Sequence, residues 1–226
     1  MIPLQQPMLS IESVIFDMDG LLIDTESLAM SALASAGAEM GYDMPTVFCE
    51  LMIGVPIDHS RALAHERFGD DFPLDAFFKT ADAHLAVLVD AGRLQLKPGV
   101  LELLSLLDQQ NIRKAVATSS SQPKADRHLE LTGIRDRFDA IITRDDVARG
   151  KPNPDPFLRA AEVLSTSPDR CLALEDSYNG VRAAHAAGMR VIMVPDLLQP
   201  TDEMHEKTFM VVKNLHAVVS WLQSVI

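Results

Sequence analysis

The sequence predicts an α/β protein in which a doubly wound parallel sheet is interrupted by a helical insertion. Short apolar runs rich in β-branched residues alternate with helical patterns over the C-terminal half, an order typical of βαβ units and therefore of a parallel sheet. One further apolar run, at residues 14–16, lies upstream of a long stretch with helical patterns and no convincing strand. We predict a core of residues 1–25 and 94–226 and an inserted helical domain of residues 26–93.

The inserted stretch is predicted to form four helices. Apolar residues at helical spacing predict the first, over residues 26–40. Turn-forming residues separate the others, and these are Gly54, Pro56, Gly69 and Pro73. The remaining helices are expected over residues 46–52, 57–68 and 74–91.

The core elements alternate between strand and helix. Stretches rich in apolar residues predict strands at residues 14–16, 113–118, 138–142, 171–174 and 190–194, with an edge strand at 209–212. The run at residues 14–16 is continuous and suits a strand buried on both faces. Amphipathic patterns predict helices over residues 100–107, 123–131, 155–164 and 179–187, and a last helix that contains Trp221. Asp155 and Pro156 are expected to open their helix as N-cap and first helical residue.

Length and charge restrict the partners. The 226 residues carry a formal net charge of -12 and the pI is near 4.9, which argues against a surface for nucleic acid or an anionic membrane. An acidic protein that binds an anionic substrate must make the site locally positive, with a metal ion or a few basic residues. No apolar run approaches the roughly 20 residues needed to cross a bilayer. We therefore expect no nucleic-acid or membrane partner, and a monomer by default.

The cysteines and the N-terminus favour a cytoplasmic location. The spacing of Cys49 and Cys171 suits neither a zinc site nor a disulfide framework, which is consistent with a reducing compartment. Residues 1–7 lack the basic segment and long apolar core of a secretory signal. We therefore predict a cytoplasmic protein.

Side chains suited to phosphoryl transfer follow the predicted strands. They are Asp17 and Asp19 after the first strand, Thr118 and Ser119 after the second, Lys151 in the loop after the third, and Glu175 and Asp176 after the fourth. Because the carboxyl ends of parallel strands share one edge of a sheet, we expect these groups to converge. Together they offer a divalent-cation site, an amine that screens phosphate charge, and donors for phosphate oxygens. Taken singly, each has a structural explanation as an Asp-rich turn, a helix N-cap or a solvated loop lysine.

Four motifs resemble those of the haloacid dehalogenase superfamily and occur in the order of that family. They are DMDGLLIDTE beginning at Asp17, the pair Thr118 and Ser119, KPNPDPF beginning at Lys151, and LEDSYNG beginning at Leu174. The resemblance covers nearly the whole chain and implies a Rossmann-like core. The insertion after the first motif resembles the helical cap of the subfamily that includes β-phosphoglucomutase and phosphoglycolate phosphatase. Four motifs in order, each at a strand end, make coincidence a poor explanation.

The resemblance implies a catalytic role for five residues. Asp17 corresponds to the nucleophile, which attacks phosphorus and becomes an aspartyl phosphate. Asp19 corresponds to the general acid/base, which protonates the leaving oxygen and then activates water. Thr118 and the main-chain N–H of Ser119 correspond to the phosphate-holding position, and Lys151 to the amine that screens the repulsion between carboxylate and phosphate.

The resemblance also implies a Mg²⁺ site. The side chain of Asp17, the carbonyl oxygen of Asp19 and the side chain of Asp176 correspond to its ligands, and Glu175 to a residue that supports the metal through water. Magnesium takes about six oxygen ligands and usually keeps several waters, so few protein groups suffice.

Particular residues separate the activities known in the superfamily. Its dehalogenases lack the second aspartate and need no metal, so Asp19 argues against dehalogenation. β-Phosphoglucomutase has a histidine at the position of Ala29 and an arginine soon after a Gly-Val pair, whereas the pair at residues 54–55 is followed by an arginine only at Arg61. We therefore predict a Mg²⁺-dependent phosphatase for a small phosphorylated metabolite such as a sugar phosphate. A β-phosphoglucomutase-like mutase is the alternative, and a non-catalytic binding protein is weaker because the catalytic aspartates are all present.

Overall fold

The computed structural model describes residues 11–53 and 57–226. The chain divides into two compact units, one formed by Met1–Ile23 and Leu96–Ile226 and the other by Asp24–Gln95. Every residue predicted to carry chemistry lies in the first unit. Residues 1–7 and the Gly-Val pair at 54–55, which entered the sequence predictions, lie outside the described residues. The role of the second unit as a cap domain stays a prediction.

The elements follow the predicted order. The strands are β1 (Ser13–Phe16), β2 (Arg113–Ala117), β3 (Ala140–Ile142), β4 (Cys171–Glu175), β5 (Arg190–Met193) and β6 (Met210–Val211). The helices are α1 (Thr25–Met40), α2 (Thr46–Leu51), α3 (Ile57–Phe68), α4 (Leu74–Asp90), α5 (Val100–Gln109), α6 (Gln122–Leu131), α7 (Asp155–Val163), α8 (Tyr178–Ala186), α9 (Asp202–Lys207) and α10 (Leu215–Val225). Short 3-10 turns cover Arg135–Arg137, Arg144–Asp146 and Pro168–Arg170.

The strands of the first unit form one parallel sheet with the order β3-β2-β1-β4-β5-β6. β1 lies in the middle, where Ser13 pairs with Arg113 on one side and with Cys171 on the other. The chain leaves β1 toward β2 and β3 and then returns across the sheet to β4. Such a reversal of strand order marks the place at the carboxyl ends where doubly wound sheets bind ligands. The predicted doubly wound parallel sheet is confirmed.

The sheet is covered on both faces because its strands are apolar at nearly every position. Ile15 and Phe16 are fully buried, as the continuous apolar run predicts. Ile15 belongs to a cluster that small strand residues such as Ala115 and Ala173 form with α7 and α8. Phe16 points to the other face and packs edge-on against Phe138, with ring centroids 5.7 Å apart. Burying side chains of this size contributes about 1.5–3 kcal/mol each, which anchors β1 and the residues that follow it.

The second unit contains α1 to α4 and, in its described residues, no strand. α1 begins after Asp24, whose carboxylate accepts a hydrogen bond from the N–H of Ser27 at 3.2 Å. It ends at Gly41, which takes a φ of +80° that favours glycine. Within the unit, α1 packs against α4, and the rings of Tyr42 and Phe72 lie 4.7 Å apart. The helical pattern of this stretch therefore corresponds to real helices.

Two local predictions were wrong. Asp155 is the first residue of α7 and not its N-cap, which is Pro154; the carboxylate of Asp155 instead pairs with Arg149, with 2.9 Å between Oδ2 and Nη2. The strand expected over residues 138–142 begins only at Ala140, because the N–H of Phe138 bonds back to the preceding 3-10 turn and not to β2.

Among residues 11–53 and 57–226, no helix is long and apolar enough to span a lipid bilayer. Cys49 and Cys171 are buried and form no disulfide.

Candidate active site

Three predicted site residues lie at the carboxyl edge of the sheet. Asp17 follows β1, and its N–H donates to the carbonyl of Leu174 at 3.0 Å, which extends the ladder with β4. Thr118 follows β2 in the same way, since its N–H donates to the carbonyl of Ile142 in β3 at 2.9 Å. Glu175 is the last residue of β4. The parallel ladder thus holds the start of each candidate loop in register with its neighbour.

Lys151 connects two of these carboxylates. Its Nζ lies 2.5 Å from Oδ1 of Asp17 and 2.5 Å from Oε1 of Glu175. The lysine side chain is only 4% exposed and its Nζ lies 5.1 Å from the ring centre of Phe157 in α7. Burial alone would lower the pKa of Lys151, but the two carboxylates outweigh it and hold that pKa above its usual value. The site therefore contains a permanent positive charge inside an acidic protein.

Asp17 is a buried carboxylate with an unusual titration. Burial raises its pKa to about 7, the Lys151 ammonium opposes this rise, and the negative charges of Glu175 and Asp19 add to it. The carboxylate that is predicted to attack phosphorus is thus near its pKa at neutral pH. Any additional cation next to Asp17 would favour the ionised form, which is the nucleophilic one.

Glu175 is a buried carboxylate whose two oxygens are both engaged. Oε1 accepts from Lys151, while Oε2 accepts from the N–H groups of Asp176 and Ser177 and from the hydroxyl of Ser177, each at 3.0 Å. α8 passes so close to this group that only glycine fits at position 180. A Cβ at Gly180 would lie 1.6 Å from Oε1 and 1.8 Å from Cδ of Glu175. Glu175 therefore holds Lys151 in place, and Gly180 leaves the room for it.

The donor set of the site fits a divalent cation. Asp17, Glu175 and Asp176 are all buried, and they offer carboxylate oxygens that lie within 4.8 Å of one another. Mg²⁺ prefers carboxylate and carbonyl oxygens at close range. Two of these residues, Asp17 and Asp176, are predicted ligands; the third predicted donor, the main-chain carbonyl of Asp19, stays a prediction.

Asp19 turns away from β1 in a tight loop and meets the segment after β2. The loop is closed by hydrogen bonds from Gly20 N–H to the Ile23 carbonyl at 2.9 Å and from Leu22 N–H to the Met18 carbonyl at 3.0 Å. The hydroxyl of Ser120 donates to Oδ2 of Asp19 at 2.8 Å. Lys124 in α6 places its Nζ 3.7 Å from Oδ1.

A parallel sheet with this strand order and an acidic site at its carboxyl edge can be compared with known families. The sequence model described as haloacid dehalogenase-like hydrolase matches residues 14–194. The chain belongs to this family.

Three named proteins are similar to this chain over most of its length. Protein CbbY of Cereibacter sphaeroides is 36% identical over 199 residues, which are 82% of this chain and 84% of CbbY. Hexitol phosphatase B of Escherichia coli is 34% identical over 190 residues, or 81% of this chain and 83% of that protein. A crystal structure of a Thermotoga maritima protein, provisionally named β-phosphoglucomutase, superposes with a TM-score of 0.82 at 29% identity and covers 95% of this chain and 100% of its own.

The remaining predicted site residues follow β2 and β4. Thr118 is buried at the end of β2, and its Oγ1 accepts from the N–H of Ser120 at 3.0 Å. Ser119, the other predicted phosphate-holding residue, is exposed in the same loop. Asp176 directly follows β4 and is buried.

Sequence reasoning missed Ser120 and Lys124, although a signal was present. Ser120 stands two residues after Thr118 in a run of three serines, and Lys124 follows four residues later, a spacing that places side chains on one side of a helix and its N-terminal turn. Asp145 and Asp146 follow β3 and are exposed, and both accept hydrogen bonds from main-chain N–H groups. Asp146 accepts from the N–H and the hydroxyl of Thr143 at 2.8 and 2.7 Å, which caps a short 3-10 turn.

Proposed function

We propose that the chain is a Mg²⁺-dependent phosphatase that hydrolyses a small phosphorylated metabolite, a sugar or sugar-alcohol phosphate, through an aspartyl phosphate on Asp17. The observation that carries the proposal is the buried ammonium of Lys151, held between Asp17 and Glu175 at the carboxyl edge of the sheet. A carboxylate nucleophile must approach a phosphate dianion, and a fixed cation beside it lowers that repulsion. The family membership and the similarity to a hexitol phosphatase support the same reaction class.

The proposed reaction has two steps. A carboxylate oxygen of Asp17 bonds to phosphorus as the bond to the leaving oxygen breaks, and Asp19 gives its proton to that oxygen. Asp19 then takes a proton from water, whose oxygen attacks phosphorus and releases inorganic phosphate and the Asp17 carboxylate. Thr118 and the N–H of Ser119 hold phosphate oxygens, and Lys151 screens their charge. A Mg²⁺ ion bound by Asp17, Asp176 and the Asp19 carbonyl would neutralise phosphate charge.

The decisive experiment measures inorganic phosphate released from sugar phosphates, hexitol phosphates and an aryl phosphate, with Mg²⁺ and with EDTA. We expect metal-dependent turnover for the wild type and none for Asp17→Asn. An acylphosphate that hydroxylamine cleaves should be trapped by acid quenching only on the wild type. Absence of any difference between wild type and Asp17→Asn would refute the proposal. Ser121→Ala is the control variant and should keep wild-type turnover. Ser121 is the N-cap residue of α6, but its side chain makes no capping hydrogen bond.

A phosphosugar mutase is a second candidate, supported by the similarity to the structure provisionally named β-phosphoglucomutase. Ala29 lies in α1 and supplies no ring nitrogen at the position where the mutase has histidine, which favours water as the acceptor. Offering β-glucose 1-phosphate with a bisphosphate primer separates the two. Efficient formation of glucose 6-phosphate with little free phosphate would favour the mutase.

The remaining assignments extend the proposal to the whole chain. The unit Asp24–Gln95 is proposed to act as the cap that the family resemblance implies, because it interrupts the core between β1 and the other strands. The partners are proposed to be limited to the metabolite, with neither nucleic acid nor membrane, given the net charge of -12. A cytoplasmic monomer stays the prediction, and light scattering of the purified protein tests its oligomeric state.

A further inference from the structure

The start of α6 is built around the carboxylate of Asp19. The hydroxyl of Ser120 donates to Oδ2 at 2.8 Å, and Ser120 is itself 8% exposed. Its main chain is fixed on both sides, since its N–H donates to Oγ1 of Thr118 at 3.0 Å and its carbonyl accepts from the N–H of Arg144 at 3.1 Å. The hydroxyl is therefore a donor on a rigid support, aimed at a side chain from another strand end.

We propose that Ser120 is a positioning residue for Asp19, which it holds in one orientation through both proton transfers. The inference rests on the proposed function, because it assumes that Asp19 exchanges the proton. A general acid must reach the leaving oxygen within hydrogen-bond distance, and then reach the attacking water from the same place. The side chain of Asp19 is 27% exposed, although its Oδ1 is buried, so it is not fully enclosed and its direction needs a further restriction. The bond from Ser120 supplies that restriction without contact with the substrate.

Lys124 assists in a different and smaller way. Its Nζ lies 3.7 Å from Oδ1 of Asp19, beyond hydrogen-bond distance, and its side chain is 44% exposed. The attraction is therefore screened by solvent and does not fix an orientation. Orientation depends on Ser120, and a Lys124→Gln variant should change the rates much less than Ser120→Ala.

The test compares leaving groups, because only one kind needs the proton. A sugar-alcohol oxygen leaves as the alcohol and requires protonation by Asp19, whereas p-nitrophenolate leaves as the anion. Single-turnover release of each leaving group, with enzyme in excess and Mg²⁺ present, reports formation of the aspartyl phosphate alone. We expect Ser120→Ala to slow release of the sugar alcohol about 10- to 100-fold, because a misdirected general acid loses part of the roughly 10²- to 10⁴-fold that general acid catalysis contributes. Release of p-nitrophenolate should stay within about threefold.

Two further variants separate positioning from a general structural role. Ser120→Thr keeps the hydroxyl and should restore most of the sugar-alcohol rate. Ser120→Ala in an Asp19→Asn background should cause no further loss, because the bond acts only through Asp19. Ser121→Ala, the neighbouring serine without a side-chain cap bond, should behave as wild type.

The outcomes distinguish this inference from the function on which it rests. Equal losses for both leaving groups in Ser120→Ala, or an additional loss in the Asp19→Asn background, would overturn the role of Ser120 while hydrolysis through Asp17 stands. A wild type that releases neither leaving group in a metal-dependent single turnover would overturn the proposed function itself.

Discussion

Substituting Gly180 by alanine should disable the site through Glu175, although glycine to alanine in a helix is normally favourable. Gly180 lies in the first turn of α8, where alanine would gain about 1 kcal/mol of helix propensity. Its Cβ would, however, lie 1.6 Å from Oε1 of Glu175, where an ordinary contact needs at least 3.4 Å. The carboxylate or the helix must therefore shift by nearly 2 Å.

Such a shift breaks the contact on which Lys151 depends. Oε1 of Glu175 is the atom that Lys151 approaches at 2.5 Å, and Glu175 is fully buried. Overpacking of this kind costs about 1–3 kcal/mol, of which helix propensity offsets about 1 kcal/mol. A displacement of about 1 Å in a catalytic group can cost roughly 100-fold in rate. We expect Gly180→Ala to lose up to about 2 kcal/mol of unfolding free energy in urea and at least about 100-fold in kcat.

A matched glycine provides the control. Gly150 precedes Lys151, but a Cβ there would meet no atom within 4 Å. Gly150→Ala should keep wild-type stability and kcat in the same assays. The reasoning would be refuted if Gly180→Ala kept wild-type kcat, since a carboxylate that tolerates this displacement cannot be what positions Lys151.

Three further predictions concern charges and hydroxyls of the site. In the metal-free protein, burial raises the pKa of Asp17 from 3.8 to about 7, so the folded state favours the protonated carboxyl group. The stability that this preference contributes is fully present below about pH 4 and is lost as the pH rises through about 7. Metal-free Asp17→Asn should therefore be more stable than the wild type, by a difference in unfolding free energy that grows between about pH 4 and 7 and reaches about 4 kcal/mol. Urea unfolding in EDTA measures this difference, and equal stabilities of the two proteins at pH 8 would contradict the prediction. Lys151→Met leaves two buried carboxylates without their cation and should lower the unfolding free energy by about 3–5 kcal/mol at pH 8. Lys97→Met should lose far less, because the single ion pair of Lys97 with Asp196 is less buried; similar urea midpoints for the two variants would count against this prediction. Thr118→Val removes the acceptor for the N–H of Ser120 and should lower stability by about 1–3 kcal/mol and kcat as well, whereas Thr118→Ser should retain both; a fully active valine variant would exclude a role for the hydroxyl.

The sheet and the convergence of its strand ends could be predicted because both follow from short-range patterns. The apolar run of β1 and the alternation of strands and helices determine a parallel sheet, and strand ends in such a sheet share one edge. Helix starts were less predictable. Asp155 is a favoured N-cap residue type, yet it lies inside α7, because Arg149 provides its carboxylate with a partner that no local rule reveals.

The support of the site could not be predicted in the same way, because it depends on packing between distant segments. Gly180 belongs to a recognised motif, but the reason for glycine appears only when α8 is seen to pass within bonding range of the Glu175 carboxylate. Ser120 and Asp19 are 101 residues apart in sequence, and a serine after a strand has many structural explanations. The run of three serines indicates a polar loop, but the partner of the Ser120 hydroxyl is known only once both loops are placed.

The contrast between Glu175 and Asp19 gives a physical reason for two different kinds of support. Glu175 must not move, and the structure buries it fully and surrounds it with four donors, including a cation. Asp19 must exchange a proton with a leaving group and then with water, so it has to stay accessible while keeping its direction. The fixed hydroxyl of Ser120 suits both requirements, because it restricts rotation while the Asp19 side chain stays partly exposed. Because the two carboxylates are supported in these different ways, replacing Ser120 should impair proton transfer and spare metal binding, whereas replacing Gly180 should impair both.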